Sequence, residues 1–268
     1  MTQTKTSLTK FGFAALAALI VSACGSSGSG SSSDNQPQQN NASNNTQPSQ
    51  PTNNSQTNQT SNNQAQIRNG TGAAFVMPGQ DDNVKQRTAT LNGYNTTSIN
   101  VDGTNITIGY PGIHANSWAT IGDLKVCCGR YSDIRFGVSD SYDAGYMFYN
   151  GNPTQNMPTS GTATYSGEAI ISAENVAALE DEDYHVGKSE FNVNFGDKTL
   201  NGALTIPNIQ PVDINAKISG NSFTGTANSA SLPSGQVEGK FYGNNAKEMA
   251  GLASDNKSWG ATFGAAKQ

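Results

Sequence analysis

From Gly161 to the C-terminus, apolar side chains recur at every second position, and this period restricts the fold more than any other feature of the 268-residue chain. Phe191-Asn-Val193-Asn-Phe195 alternates strictly, Gly196-Asp197 supplies a turn, and Leu200, Leu204 and Ile206 resume the pattern. Val212, Ile214, Ala216 and Ile218 alternate again. After Ser219-Gly220-Asn221 come Phe223, Gly225 and Ala227, then Val237, Gly239 and Phe241. Successive side chains of a strand point to opposite faces, so period two marks strands with one buried face. With Thr162–Ile171, Met249–Ser254 and the run through Trp259, Ala261 and Phe263, the count reaches about eight short strands. Asn175–Glu180 and Asn245–Met249 can each form one helical turn. Eight antiparallel strands joined by hairpins close into a small up-and-down barrel, which removes exposed edges. Gly202, Gly225 and Gly239 fall at inward positions, where tight packing at a barrel bend favours glycine.

The region before the barrel is also strand-rich. Ile67–Met77, Thr88–Leu91, Thr97–Val101, Ile106–Ile108, Trp118–Val126 and Ile134–Val138 read as short strands, and Tyr146-Met-Phe-Tyr149 as an aromatic one. Alternation sets Tyr146 and Phe148 on one face and Met147 and Tyr149 on the other, so in a two-layer packing the two pairs are expected to differ in burial.

The amino terminus reads as an export segment. Lys5 and Lys10 precede the apolar run Phe11–Val21, and Ser22 and Ala23 lead directly to Cys24. Val21-Ser22-Ala23-Cys24 resembles a bacterial lipobox, in which residues 1–23 are removed and Cys24 is acylated; an ordinary signal peptide with an incidental Cys is the alternative. Two kinds of acyl chain on one Cys satisfy the requirement for stable membrane anchoring. Gly25 and Ser26 follow, without an Asp that would retain the protein at the inner membrane. Residues 24–66 are almost entirely Ser, Gly, Asn, Gln, Thr and Pro, with Asp34 the single charge. Such a stretch cannot offset its conformational entropy by burial and is expected to be a disordered tether, roughly 35 Å end to end as a coil.

Composition excludes several classes. Without Lys5 and Lys10 the chain carries 13 basic against 20 acidic residues, a surface that repels a phosphate backbone, so nucleic acid is not an expected partner. No later stretch approaches the roughly 20 consecutive apolar residues of a membrane-spanning helix. Hydrolase, metalloprotease and P-loop motifs are missing, and no Cys/His pair has credible spacing, so an enzyme is not expected.

The barrel region resembles the transferrin-binding protein B family. The resemblance is carried by Gly161-Thr-Ala-Thr-Tyr-Ser-Gly167, Phe191–Phe195 with Lys198-Thr-Leu-Asn-Gly202, and Ile218-Ser-Gly-Asn-Ser-Phe-Thr-Gly225. Val237-Glu-Gly-Lys-Phe-Tyr-Gly243, Ala246–Gly251 and Trp259-Gly-Ala-Thr-Phe-Gly264 continue it in order. Factor H-binding protein, the haemoglobin–haptoglobin utilisation lipoprotein and the haem-binding hemophilins share that barrel. Cys127-Cys128-Gly-Arg-Tyr, Phe148-Tyr-Asn-Gly-Asn-Pro-Thr154 and Met157–Ala163 look most like the haemoglobin-utilisation group. The resemblance implies an all-β chain in which a handle subdomain, 67–160, packs on the eight-stranded antiparallel barrel, 161–268. It implies a lipid-anchored, surface-exposed outer-membrane protein that binds haemoglobin or a similar host protein for iron acquisition. A TonB-dependent receptor and a surface lipoprotein translocator would be partners. A complement regulator as ligand, or direct carriage of haem as cofactor, are the alternatives.

Site residues are expected outside the barrel interior, since eight strands leave room only for side chains and make Phe191, Phe195, Phe223 and Phe241 core. The candidates for partner binding are Tyr110, Ile113, His114 and Trp118, with Tyr142 and Tyr149, because exposed aromatics dominate interface hot spots; the barrel loop Glu180–His185 is the fallback. His114 and His185 are the haem-ligand candidates that the hemophilin resemblance permits. Cys127 and Cys128 leave two readings. Export favours a disulfide, whereas adjacent Cα atoms about 3.8 Å apart fall below the usual bridging range of about 4.4–6.8 Å, so a vicinal bridge is strained and the alternative is one buried and one free thiol. With no CxxC and no nearby His pair, no metal site is expected.

Overall fold

The computed structural model describes residues 69–79, 84–109, 118–141 and 143–268. The expectations for Cys24, the tether, Tyr110, Ile113, His114 and Tyr142 lie outside the described residues.

The chain is all-β. Its first half contains β1 (Gly72–Pro78), β2 (Arg87–Leu91), β3 (Ser98–Val101), β4 (Thr104–Thr107), β5 (Ala119–Ile121), β6 (Leu124–Cys127), β7 (Ile134–Asp140) and β8 (Ala144–Gly151). Six of these form a sheet in the order β2-β1-β8-β7-β6-β5, while β3 and β4 pair as a separate hairpin. Asp102 and Gly103 both have positive φ, 49° and 94°, as a two-residue hairpin turn of the primed type requires. The single strand expected over Trp118–Val126 is two strands. Ile121 pairs with Leu124 across Gly122-Asp123, and Gly122 at φ 55° lets the chain reverse.

The second half is a closed barrel of β9 (Thr162–Ala173), β10 (His185–Asn194), β11 (Thr199–Thr205), β12 (Val212–Ser219), β13 (Ser222–Ser229), β14 (Leu232–Tyr242), β15 (Glu248–Ser254) and β16 (Trp259–Lys267). Every neighbouring pair is antiparallel, and β16 returns to β9 to close it. Short 3-10 turns occur at Ala177–Leu179, within the expected Asn175–Glu180, and at Asn244–Ala246, which overlaps the start of the expected Asn245–Met249.

Apolar side chains, aromatic rings prominent among them, pack together inside the barrel. Phe191 and Phe263 lie 5.1 Å apart, Phe223 and Phe241 5.6 Å, and Phe195 and Phe241 5.9 Å, with Tyr165 against Phe241 at 6.0 Å. All are buried, each contributing roughly 1.5–3 kcal/mol by removal from water. Glycines make room for these rings. Gly202 pairs with Phe191 and Gly239 with Phe223 across the strands, and a Cβ on either would stand 2.3 or 2.2 Å from its partner's ring.

The six-stranded sheet is a middle layer. Phe75, Ile134, Phe136, Val138, Met147 and Tyr149 face the barrel and pack on Ile170, Tyr242, Ala250 and Leu252. The opposite face carries Ala74, Val76, Val126, Tyr146 and Phe148 against Ile99, Val101 and Ile106 of the hairpin. Tyr146, Met147, Phe148 and Tyr149 are therefore all buried, at 9% exposure or less, where a two-layer packing would leave one pair exposed. The barrel seats the sheet on outward glycines of β16. A Cβ on Gly264 would meet the Phe136 ring at 2.3 Å, and one on Gly260 would press on Met147 and Phe75.

Candidate functional site

Two regions outside the barrel interior concentrate functional groups: the seam around Cys127–Tyr131, and the end of the molecule where the β5–β6 turn meets the barrel loop before His185.

At the seam, Cys127 ends β6 and Cys128 follows it, with both side chains buried and their sulfurs joined in a disulfide. Their neighbour is Glu168, an outward-facing residue of β9 that is 4% exposed. Tyr131 donates its hydroxyl to Glu168 Oε2 at 2.6 Å, and the Arg130 guanidinium pairs with the same carboxylate. Arg130 also lies over the Tyr131 ring, 4.9 Å from its centroid. Burial pushes the Tyr131 phenol well above its ordinary pKa, and the hydrogen bond to Glu168 adds to that, so it remains a neutral donor. Lys188 Nζ approaches Glu168 at 3.7 Å from the exposed side, and Cys127 Sγ lies 3.8 Å from Glu168 Oε2.

A second barrel carboxylate holds the other end of the same loop. Glu248 of β15 accepts the backbone N–H groups of Ser132 and Asp133 at 3.0 and 2.9 Å. Lys247 pairs with Asp133 at 2.8 Å. Burial alone would raise the Asp133 carboxyl, but hydrogen bonds from Lys247, Ser132 and Asn152 outweigh it and hold the group below the usual carboxylate range. Glu168 and Glu248, 80 residues apart in sequence, thus clamp one loop between them.

At the second region, Tyr184 donates to Asp140 at 2.6 Å and Lys125 pairs with Glu182 at 3.9 Å. These contacts place the Ile121-Gly122-Asp123 turn and the loop Glu180–His185 at the same end, since Asp140 N–H donates to Asp123 O at 3.0 Å. Ile121 is 37% exposed there, one of two large apolar side chains so exposed among the described residues, the other being Val186. Burial raises the Asp140 carboxyl, with the negative charges of Asp183 and Asp123 adding to it against the Tyr184 hydrogen bond.

The expected site residues are distributed unevenly over this geometry. Tyr149 is not a surface contact: it is 1% exposed because β8 is a central strand covered on both faces. Trp118 is half-buried and stands edge-on to Phe136 at 5.5 Å, its indole N–H buried without a hydrogen-bond partner. His185 opens β10, and its Nε2 lies 3.1 Å from both Leu179 O and Glu182 O. Carbonyls only accept, so Nε2 carries the proton and is committed to closing its own loop rather than facing a ligand. Glu168, Arg130, Tyr131 and Glu248 were invisible as a group, because two come from barrel strands and two from a handle loop. The available signal was a charge at an outward position of β9 beside Ile170, on a face whose companions on β15 and β16 are Ala250, Leu252 and Gly264.

Comparison with known proteins agrees with this architecture. Residues 157–267 match the family described as the C-lobe and N-lobe beta barrels of Tf-binding protein B. A mutant transferrin-binding protein B from Haemophilus parasuis Hp5 aligns over 74% of this chain and 45% of its own, at 28% identity and a TM-score of 0.53. The isotype 1 protein from serogroup B Neisseria meningitidis aligns over 74% and 44%, at 21% identity and a TM-score of 0.55, a likeness of fold. The barrel fold defines a protein of the transferrin-binding protein B kind. An uncharacterised protein of Haemophilus influenzae is 43% identical over 288 residues, covering 97% of this chain and 99% of that protein. The chain belongs to one family with that protein and carries the transferrin-binding protein B-like barrel. The transferrin-binding protein B of H. influenzae is 29% identical over 168 residues, 50% of this chain and 27% of the relative. This chain thus spans less than half the length of each of these three transferrin-binding proteins B.

Proposed function

We propose that this chain is a binding protein of the bacterial outer surface, anchored through acylated Cys24, that captures a host iron-carrying protein, with haemoglobin the favoured ligand. The observation that carries it is a barrel of the transferrin-binding protein B kind whose interior is filled by aromatic rings, so that recognition falls to the loops outside. The division into tether 24–66, handle 67–160 and barrel 161–268 belongs to this reading. So do a TonB-dependent receptor that takes up the iron cargo and a translocator that brings the lipoprotein to the surface. The docking face is the end where the exposed Ile121 and the acidic loop before His185 meet; Tyr110, Ile113, His114 and Tyr142 are further partner contacts in this reading. Transferrin is the second reading, favoured by the name that the barrel's relatives share.

The chain from Gly25 onward, immobilised and exposed to serum with and without haemolysate, is expected to retain haemoglobin, and growth on haemoglobin iron should require the intact gene product. Retention of transferrin alone would select the second reading. Retention of a complement regulator, with no iron protein bound, would move the protein to immune evasion. Hemin mixing is expected to give no Soret shift that depends on His185, since its Nε2 is occupied.

A further inference from the structure

The disulfide at the seam closes a ring between adjacent residues. A cross-link stabilises chiefly by shortening the loops open to the unfolded chain, and that contribution is smallest when the bridged residues are already neighbours. Cys127–Cys128 therefore ties together nothing that the peptide bond does not already tie. Its surroundings are built for a different state. Cys127 Sγ lies 3.8 Å from Glu168 Oε2, within reach of an S–H···O bond, yet a disulfide sulfur has no proton to donate. The buried carboxylate complements a thiol at that position.

One sulfur from each cysteine and one oxygen of Glu168 all lie within 4.8 Å of one another, and all three side chains are buried. Ligands held about 2.0–2.3 Å from a zinc ion in a tetrahedron sit roughly 3.3–3.8 Å apart, within that limit, so side-chain rotations that part the two sulfurs once their bond is broken would set all three around an ion. Sequence spacing concealed the set, because Glu168 stands 41 residues beyond Cys127 and reaches it only when the sheet is seated on β9.

We propose that Cys127, Cys128 and Glu168 form a redox-gated site for a thiophilic divalent cation of the zinc class, closed while the disulfide is intact and opened by a small-molecule thiol. Two reductant thiols supply two electrons and two protons; the sulfur–sulfur bond breaks, two S–H groups form, and the reductant leaves as its own disulfide. The cation then replaces both thiol protons, which pass to solvent. Glu168 exchanges Arg130 and Tyr131 for the metal, and water completes four-coordination. Arg130, whose side chain is 39% exposed, is the group that swings away.

The test uses the full chain with Cys24→Ser, so that the two seam cysteines are the remaining thiols. After reduction with dithiothreitol and anaerobic desalting, with circular dichroism following the fold, the probe is Co2+, read by sulfur-to-cobalt charge-transfer absorption. Zn2+ is then added in competition and its adduct read by native mass spectrometry. One Co2+ per folded reduced chain, none on the oxidised chain, displacement by Zn2+, and weakening of at least tenfold in Glu168→Gln are expected. A folded reduced chain without the absorption band would overturn the proposal. So would thiols that become reducible only as the barrel unfolds, or an equal band in a Cys127→Ser, Cys128→Ser variant. The comparison of oxidised with reduced protein needs no substitution at the site, so it stands even if a variant fails to fold. None of these readouts involves a host protein.

Discussion

Strands β12 and β8 have eight residues each and bury them in opposite ways. Along β12 buried and exposed residues alternate without exception, because one face looks into the barrel and the other into solvent. Along β8 every residue is buried, because the barrel covers one face and the β3–β4 hairpin the other. The difference is one of neighbours rather than of strand geometry. A strand in a closed single layer records its environment as period two; a central strand of a three-layer stack records only continuous hydrophobicity.

Truncation on both faces is the sharpest way to break this comparison. In β8, Phe148→Ala is expected to cost about 3–5 kcal/mol and Met147→Ala about 2–5, since each empties a different buried layer. In β12, Ile214→Ala should cost a similar 2–5 kcal/mol or so, whereas Asn215→Ala should stay within about 0.5. Chemical denaturation of the four variants measures this. A near-neutral Met147→Ala or Phe148→Ala would mean that one face of β8 is open.

The seam should respond locally. Glu248→Ala removes a charged acceptor from two backbone N–H groups and is expected to cost about 2–3 kcal/mol. Hydrogen exchange should accelerate across residues 128–135 while the amides of β11–β13 keep their protection. Uniform loss of protection would instead make handle and barrel one cooperative unit.

The pH dependence separates two carboxylates of opposite character. The Asp133 carboxyl is held below its ordinary pKa in the folded state, so its contribution is present above the unfolded value, about 3.9, and is lost as pH falls through the folded value. The melting-temperature gap between wild type and Asp133→Asn should be constant above about pH 5 and close toward pH 2. Asp140 is the reverse case. Its folded pKa is raised, chiefly by burial, so wild type loses stability as pH rises through that value. Asp140→Asn keeps an acceptor for Tyr184 and should gain a few tenths of a kcal/mol to about 1 at pH 7, an advantage that disappears in acid. This is the smallest effect, and a loss at pH 7 would show that the Tyr184 hydrogen bond outweighs the burial of charge.

The barrel was legible because strands such as β10 and β12 alternate buried and exposed residues, and because hairpins pair neighbours in sequence order. Phe191, Phe195, Phe223 and Phe241 were therefore identifiable as core from their positions alone. The first half was legible as strands but not as layers. Tyr149 passed for a docking aromatic because its cover comes from barrel strands distant in sequence, Tyr242 and Ala250 among them, which no local pattern places over it.

Local sequence thus determined which segments are strands, where the chain turns, and that a barrel of eight strands has a solid interior. These follow from side-chain period and turn chemistry, which act over a few residues. Tertiary structure alone decided that outward Gly260 and Gly264 form a seat for Phe75 and Phe136, that Glu168 and Glu248 clamp the loop after Cys128, and that Glu168 stands beside Cys127. Each of these joins residues separated by more than 35 positions, and no local pattern encodes which distant strand will cover a given face.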